Sequence, residues 1–117
     1  MSHKKEVILP NSAPSAGPYS GQLAIDPVTK QFVNGDITEQ TRISLMNVKA
    51  LVEAAGSSMD HIVKTTVYLA DINEWPIMNE EYSKHFSKPA PARSAFQVAA
   101  LPLGAKVEIE VIAAIPN

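Results

Sequence analysis

Val107-Glu108-Ile109-Glu110-Val111-Ile112 sets two acids at alternate positions in a run of aliphatic residues. Successive side chains of a β-strand point to opposite faces, so Glu108 and Glu110 share one face while Val107, Ile109 and Val111 fill the other. A surface strand ordinarily scatters both charge signs over its solvent side. This one carries two carboxylates, no base, and then Ile112 and Ala114 on the same side. The acidic face therefore reads as partly buried, and a partly buried carboxylate needs a partner because an unpaired buried charge is costly. The nearest candidate is Arg93, in Pro91-Ala92-Arg93-Ser94, which opens the preceding strand-like segment. An arginine beside a carboxylate in a cleft is a candidate site for small acids; the plainer reading is a solvated edge strand with an incidental ion pair.

The final strand is expected from Lys106 to Ile115, turned by Leu101-Pro102-Leu103-Gly104 from a strand over Arg93 to Ala100, with Ser87-Lys88-Pro89-Ala90-Pro91 as a rigid connector before it. Further back, Asp36 with Glu39 forms a capping-box-like start. Ile37, Thr41, Leu45, Val48, Val52 and Ala55 follow at helical spacing until Gly56 supplies the stop. Ile62 to Leu69 alternates, with Val63, Thr65, Val67 and Leu69 on one side and Lys64, Thr66 and Tyr68 on the other. Asn73 is placed to cap a second helix whose stripe is Trp75, Met78, Tyr82 and Phe86, with Pro76 tolerated in the first turn. Short strands are expected at Glu6 to Leu9, Gln22 to Ile25 and Lys30 to Asn34, with Asp26-Pro27 as a turn.

This order of strands, helix, strand, helix and two strands implies an α+β layer with both helices on one sheet face. The other face, with Ser94, Phe96, Val98 or their alternates beside Glu108, Glu110 and Ile112, is too apolar to be left in water, and a homo-oligomer that buries it is the expected remedy.

With 117 residues, 45% hydrophobic and 19% charged, the chain fits a single domain over 1–117. Its net charge of −2 comes with no Lys/Arg cluster, which counts against nucleic acid as a partner. The absence of cysteine removes disulfides, thiolate catalysis and cysteine metal sites. His3, His61 and His85 lie too far apart in sequence to form a local ligand pair, so no metal is expected. Val7-Ile8-Leu9 before Pro10 falls short of a signal-peptide core or a membrane span, so a soluble, cytoplasmic protein is expected.

Many short blocks of the chain occur together in a known order. They include Ala16-Gly17-Pro18-Tyr19-Ser20, Ser20-Gly21-Gln22 with Asp26-Pro27, Gln40-Thr41-Arg42, Asn47-Val48-Lys49 and Glu53-Ala54-Ala55-Gly56. Val63-Lys64-Thr65-Thr66-Val67, Asp71-Ile72-Asn73, Asn79-Glu80-Glu81-Tyr82, Pro91-Ala92-Arg93-Ser94, Gln97-Val98-Ala99-Ala100-Leu101-Pro102 and Val107-Glu108-Ile109-Glu110 complete the set. In these residues the chain resembles the reactive intermediate deaminase family, also called YjgF and, in older usage, endoribonuclease L-PSP or translation-initiation inhibitor. The resemblance implies a chorismate-mutase-like fold, a homotrimer with clefts between subunits, and no metal or organic cofactor. It also implies hydrolysis of enamine and imine acids such as 2-aminoacrylate to 2-keto acids and ammonia, the activity of a 2-iminobutanoate/2-iminopropanoate deaminase.

By the same resemblance Arg93 grips the substrate carboxylate, to which its planar fork is suited. Glu108 directs the attacking water as a general base, with Glu110 as its structural companion. Tyr19 and Asn79 line the cleft, and Gly21 brings bare backbone close to the substrate. Ala95 stands where many relatives carry cysteine, so a contact there would run through the backbone. Two rival readings remain open: a trimer that binds small carboxylates or acts like a chaperone without turnover, and a ribonuclease or translation inhibitor.

One departure lies beside the site. Relatives place a strand, a turn and a second strand between Gly-Pro-Tyr-Ser and Ser-Gly-Gln, whereas here Tyr19-Ser20 runs directly into Gly21-Gln22. Most of a β-hairpin is missing, and two residues span at most about 7 Å of extended chain. A shortened variant, a paralogue that keeps the fold without full activity, and a sequence lacking a stretch of the chain all fit. The third is favoured because losing core strand residues should cost several kcal/mol, at about 25 cal/mol per Å² of apolar burial.

Overall fold

The computed structural model describes residues 21–116. Helix α1 spans Ile37–Ala54, strand β1 Ile62–Leu69, helix α2 Trp75–Ser83, strand β2 Ala92–Gln97 and strand β3 Val107–Ala113. The sheet order is β2-β1-β3, with β2 parallel and β3 antiparallel to β1. A parallel neighbour requires a crossover connection, and α2 supplies it between β1 and β2.

Local chemistry fixes α1 at both ends. The Asp36 carboxylate accepts from the Glu39 N–H at 2.8 Å, which satisfies one of the orphan donors of the first turn. At the other end Gly56 takes φ +85, its N–H donates to the Glu53 carbonyl, and the Ser57 N–H donates to the Val52 carbonyl at 2.8 Å. This pair of bonds across a left-handed residue is a Schellman closure, and a glycine enters that backbone region without strain.

Both helices cover one face of the sheet, as the sequence pattern implied. Leu45, Val48 and Val52 of α1 and Met78 and Tyr82 of α2 meet Val67, Leu69, Val107 and Ile109 in a single buried cluster. Burial of such aliphatic side chains stabilises by about 1.5–3 kcal/mol each. The Tyr82 hydroxyl does not stay unpaired in this layer; it shares a 2.7 Å hydrogen bond with Thr65 of β1. Two buried amides tie loops to α1. Asn47 Nδ2 donates to the carbonyls of Leu23 and Ile25 at 3.2 and 2.9 Å. Gln40 donates to the Gly35 carbonyl and accepts from the Lys106 N–H, both at 2.9 Å.

Several expectations need correction. The segments Gln22 to Ile25 and Lys30 to Asn34 do not make strands; each contributes to an isolated bridge, Gln22 with Ile109 and Ile25 with Phe32. Their shape comes from a turn in which Asp26 accepts from the Val28 and Thr29 N–H groups. Val63 is 55% exposed and Ile62 is buried in its place, because the pairing with β3 shifts between Ile62 and Lys64. A one-residue shift moves a side chain to the other face. Asn73 caps nothing: Asp71 accepts from the Asn73 N–H to start a short 3-10 turn, Ile72–Glu74, from which α2 continues. β2 and β3 are also shorter than the expected Arg93 to Ala100 and Lys106 to Ile115. Tyr19 and the strand expected at Glu6 to Leu9 lie outside the described residues.

Candidate active site

Cross-strand register decides which side chains share a face. Thr66 pairs laterally with Ser94 and Glu110, and Tyr68 with Phe96 and Glu108, so all six point to the same side. This is the face without helices. Among the described residues it is open, with Phe96 46% and Ile112 58% exposed. The apolar, acid-bearing second face read from the sequence is therefore present.

Arg93 is not on it. Its partner across the sheet is Thr65, which together with Val111 faces the helices. The expected pairing of Arg93 with Glu108 or Glu110 is thus absent within one chain. The two lie on opposite faces and on strands separated by β1, about 10 Å apart laterally alone. Alternation along a strand gives the parity of its own residues. The relative parity of two strands is set by pairing, which a single strand's pattern does not contain.

Each group sits in a site of its own. On the helix side, Arg93 Nη1 donates to Asn79 Oδ1 at 2.7 Å. The guanidinium carbon stands 4.5 Å from the Trp75 ring centre and 4.6 Å from that of Tyr82. Each such contact contributes about 0.5–1 kcal/mol at an exposed site, and together they hold the plane of the fork. No carboxylate among the described residues pairs with it. Ala95 lies two residues along β2 on the same face and, with Ile72, Asn73, Trp75 and Pro76, lines a shallow cavity of about 500 Å³. Arg93, Asn79 and Ala95 are thereby brought together. Trp75 and Tyr82 join them; in the sequence they show only as members of the apolar stripe of α2, seven residues apart.

On the open side, Glu108 and Glu110 line a second cavity of about 410 Å³ with Gly21, Tyr68, Leu101 and Pro102. The chain enters it at Gly21 and is pinned by Gln22, whose N–H donates to the Ile109 carbonyl at 2.9 Å and whose carbonyl accepts from Ile109 at 3.0 Å. A Cβ at position 21 would stand 2.9 Å from Glu108 Oε2, closer than side chains ordinarily allow, so any larger residue there would displace the Glu108 carboxylate. Gly21 thus lies directly against Glu108. Burial and then the neighbouring Glu110 charge push the Glu108 carboxyl above its ordinary value. A carboxylate so tuned is a better proton acceptor near neutral pH than a solvated one. Tyr68, for which the sequence shows only strand alternation, also faces both acids.

Fold and side chains together define a small α+β domain with an aromatic-flanked arginine on one sheet face and an acid-lined cavity on the other. The profile of the endoribonuclease L-PSP family matches residues 18–115. A RutC family protein of Pyrococcus horikoshii is 46% identical, over 93% of this chain and 97% of its own. The mouse protein named 2-iminobutanoate/2-iminopropanoate deaminase is 43% identical, over 93% of this chain and 90% of its own. The crystal structure of E. coli TdcF with bound serine superposes with TM-score 0.86 at 38% identity, covering 94% of this chain and 98% of that one. The chain belongs to the endoribonuclease L-PSP family, the reactive intermediate deaminase family of the resemblance. No helix among the described residues is long and apolar enough to cross a membrane.

Proposed function

We propose that this protein hydrolyses small 2-imino and 2-enamino acids to 2-keto acids and ammonia, in clefts built between the subunits of a homotrimer. The observation that carries the reading is Arg93: a guanidinium oriented by Asn79, Trp75 and Tyr82 and left without a carboxylate partner among the described residues. A planar fork held this way is suited to a carboxylate arriving from outside the chain. The relative with a small amino acid bound, TdcF with serine, supports that choice of ligand.

The second half of the chemistry falls to the acid cavity. With the substrate carboxylate on Arg93 of one subunit, Glu108 of its neighbour takes a proton from water as the water oxygen bonds to the imine carbon. The imine reacts in its protonated form, so the adduct is a neutral carbinolamine; Glu108 returns the water proton to its nitrogen, which leaves as ammonia while the hydroxyl proton passes to the Glu108 carboxylate and the carbonyl forms. The groups lie on opposite faces of one sheet, so assembly between copies is what lets them meet. Tyr19 would cover the planar substrate from the segment before Gly21.

A polyanion would meet Glu108 and Glu110 at this cavity, which disfavours RNA as the substrate. The test generates 2-aminoacrylate in situ with a serine dehydratase and follows its loss. The protein should speed that loss, Arg93→Ala should abolish the effect, and an Arg93→Ala variant as active as the parent would refute the reading. Sedimentation should give three times the chain mass.

A further inference from the structure

The cavity beside Arg93 has no part in the chemistry above. Ala95 of β2, two residues from Arg93 and on the same face, forms one wall. Ile72, Asn73, Trp75 and Pro76, from the 3-10 turn and the first turn of α2, form the others. Three of these five side chains are hydrocarbon and a fourth is an indole, around a volume of about 500 Å³. Sites for small molecules occupy about 300–1,000 Å³ and are lined in this way, by apolar groups with a few polar ones among them.

Contacts within the chain fix the walls. Gln97 Oε1 of β2 accepts from the Ile72 N–H at 2.9 Å and ties the turn to the strand. Asp71 accepts from the Asn73 N–H at 2.9 Å, and Pro76 locks its own φ. Trp75 joins the cavity to the arginine, because the ring that lines it also lies 4.5 Å from the Arg93 guanidinium carbon. A carboxylate held on the fork leaves the α-carbon of an imino acid one bond beyond it, and the side chain branches from that carbon. Charge is met at Arg93 and hydrocarbon beside it.

We propose that this cavity receives the side chain of the imino acid whose carboxylate Arg93 holds, so that the protein favours 2-imino acids with an extended apolar side chain, such as that derived from leucine, over the methyl-bearing one derived from alanine. The proposal rests on the deaminase reading for the anchor at Arg93. The apolar preference belongs to the walls and is measurable without turnover.

An L-amino acid oxidase with catalase generates both imines in situ. The ratio of kcat/KM, leucine-derived over alanine-derived, should be about 10, since a methylene in an apolar pocket discriminates by 10-fold or more and a cavity open to solvent realises only part of what the added carbons offer. Ala95→Leu, which fills the cavity, and Ile72→Asn, which makes a wall polar, should each bring the ratio to about 1. A merely structural role would lower both rates together and leave the ratio alone. Trp75 is the single tryptophan of the chain, so its fluorescence gives a second readout with two stable keto acids. The parent should bind 4-methyl-2-oxopentanoate about 10-fold more tightly than pyruvate.

Equal binding of the two keto acids by the parent, or a ratio that both folded variants keep, overturns the proposal. A preference for the branched keto acid without turnover of either imine supports the cavity assignment and sinks the deaminase reading; turnover of both imines with equal kcat/KM does the reverse. Should Ala95→Leu not fold, Ile72→Asn alone decides, at a position 42% exposed. An Ile72→Asn protein that keeps the parent ratio but sediments below the parent mass assigns the cavity to a neighbouring subunit and overturns the proposal.

Discussion

Replacing Gly21 with alanine perturbs the site by the smallest step available. The added Cβ would stand 2.9 Å from Glu108 Oε2 and 3.0 Å from its carboxyl carbon, where ordinary contact begins at 3.4 Å. Either the carboxylate or the backbone at 21 must give by about 0.5 Å or more. The backbone is fixed by the two hydrogen bonds between Gln22 and Ile109, so the half-buried Glu108 side chain is the part that moves. Because it can swing toward the open cavity, the stability cost should stay below about 1 kcal/mol, less than the 1–3 kcal/mol of overpacking against a rigid neighbour. Catalysis has no such freedom. A misplacement of about 1 Å can cost 100-fold, so kcat/KM is expected to fall about 10- to 100-fold, and mostly in kcat because Arg93 is untouched. The assay pairs urea unfolding with turnover of an imino acid generated in situ. A folded Gly21→Ala protein with full kcat would show that Glu108 does not work where the structure holds it.

Arg93→Lys should lose activity nearly as far as Arg93→Ala, about 100-fold in kcat/KM, because an ammonium presents no planar fork and does not stack as a guanidinium does; a near-normal rate for the lysine variant would disprove bidentate capture. Met78→Ala, at a site with no exposure, should destabilise by about 2–5 kcal/mol in urea unfolding, against less than 0.5 kcal/mol for an exposed position such as Val28→Ala. Burial opposes ionisation of Glu81, but hydrogen bonds from His85 at 2.7 Å and from Lys84 outweigh it and lower that carboxyl. A carboxyl depressed on folding adds stability that is present above its unfolded value and lost as pH falls through the folded one, so below about pH 4.5 the parent should lose stability faster than Glu81→Gln. Glu108 has the opposite sign: its raised carboxyl holds a proton more readily when folded, so ionising it as pH rises above that range costs stability, and Glu108→Gln should remove this component. An intact mass of 12.6 kDa would establish the short Ser20-Gly21 connection as the chain's own, and a heavier chain would restore the hairpin.

The sequence by itself determined what depends on neighbours along the chain. The Asp36 cap, the stripe through Leu45, Val48 and Val52, and the Gly56 stop are relations within a few residues, and α1 follows them to its ends. The alternation around Glu108 and Glu110 likewise fixed a core side and an acid side of β3, since pleating makes parity a local property. Val63 escaped that logic because a slip in pairing with β3, not its own strand, set its face. The tertiary structure alone decided the relation of Arg93 to Glu108. Parity across two strands depends on register with β1, and that register puts the arginine under Trp75 and Tyr82 while the acid lies against Gly21 on the far side. Tyr68 came to light for the same reason: only the register of β1 with β3 shows a phenol facing two carboxylates.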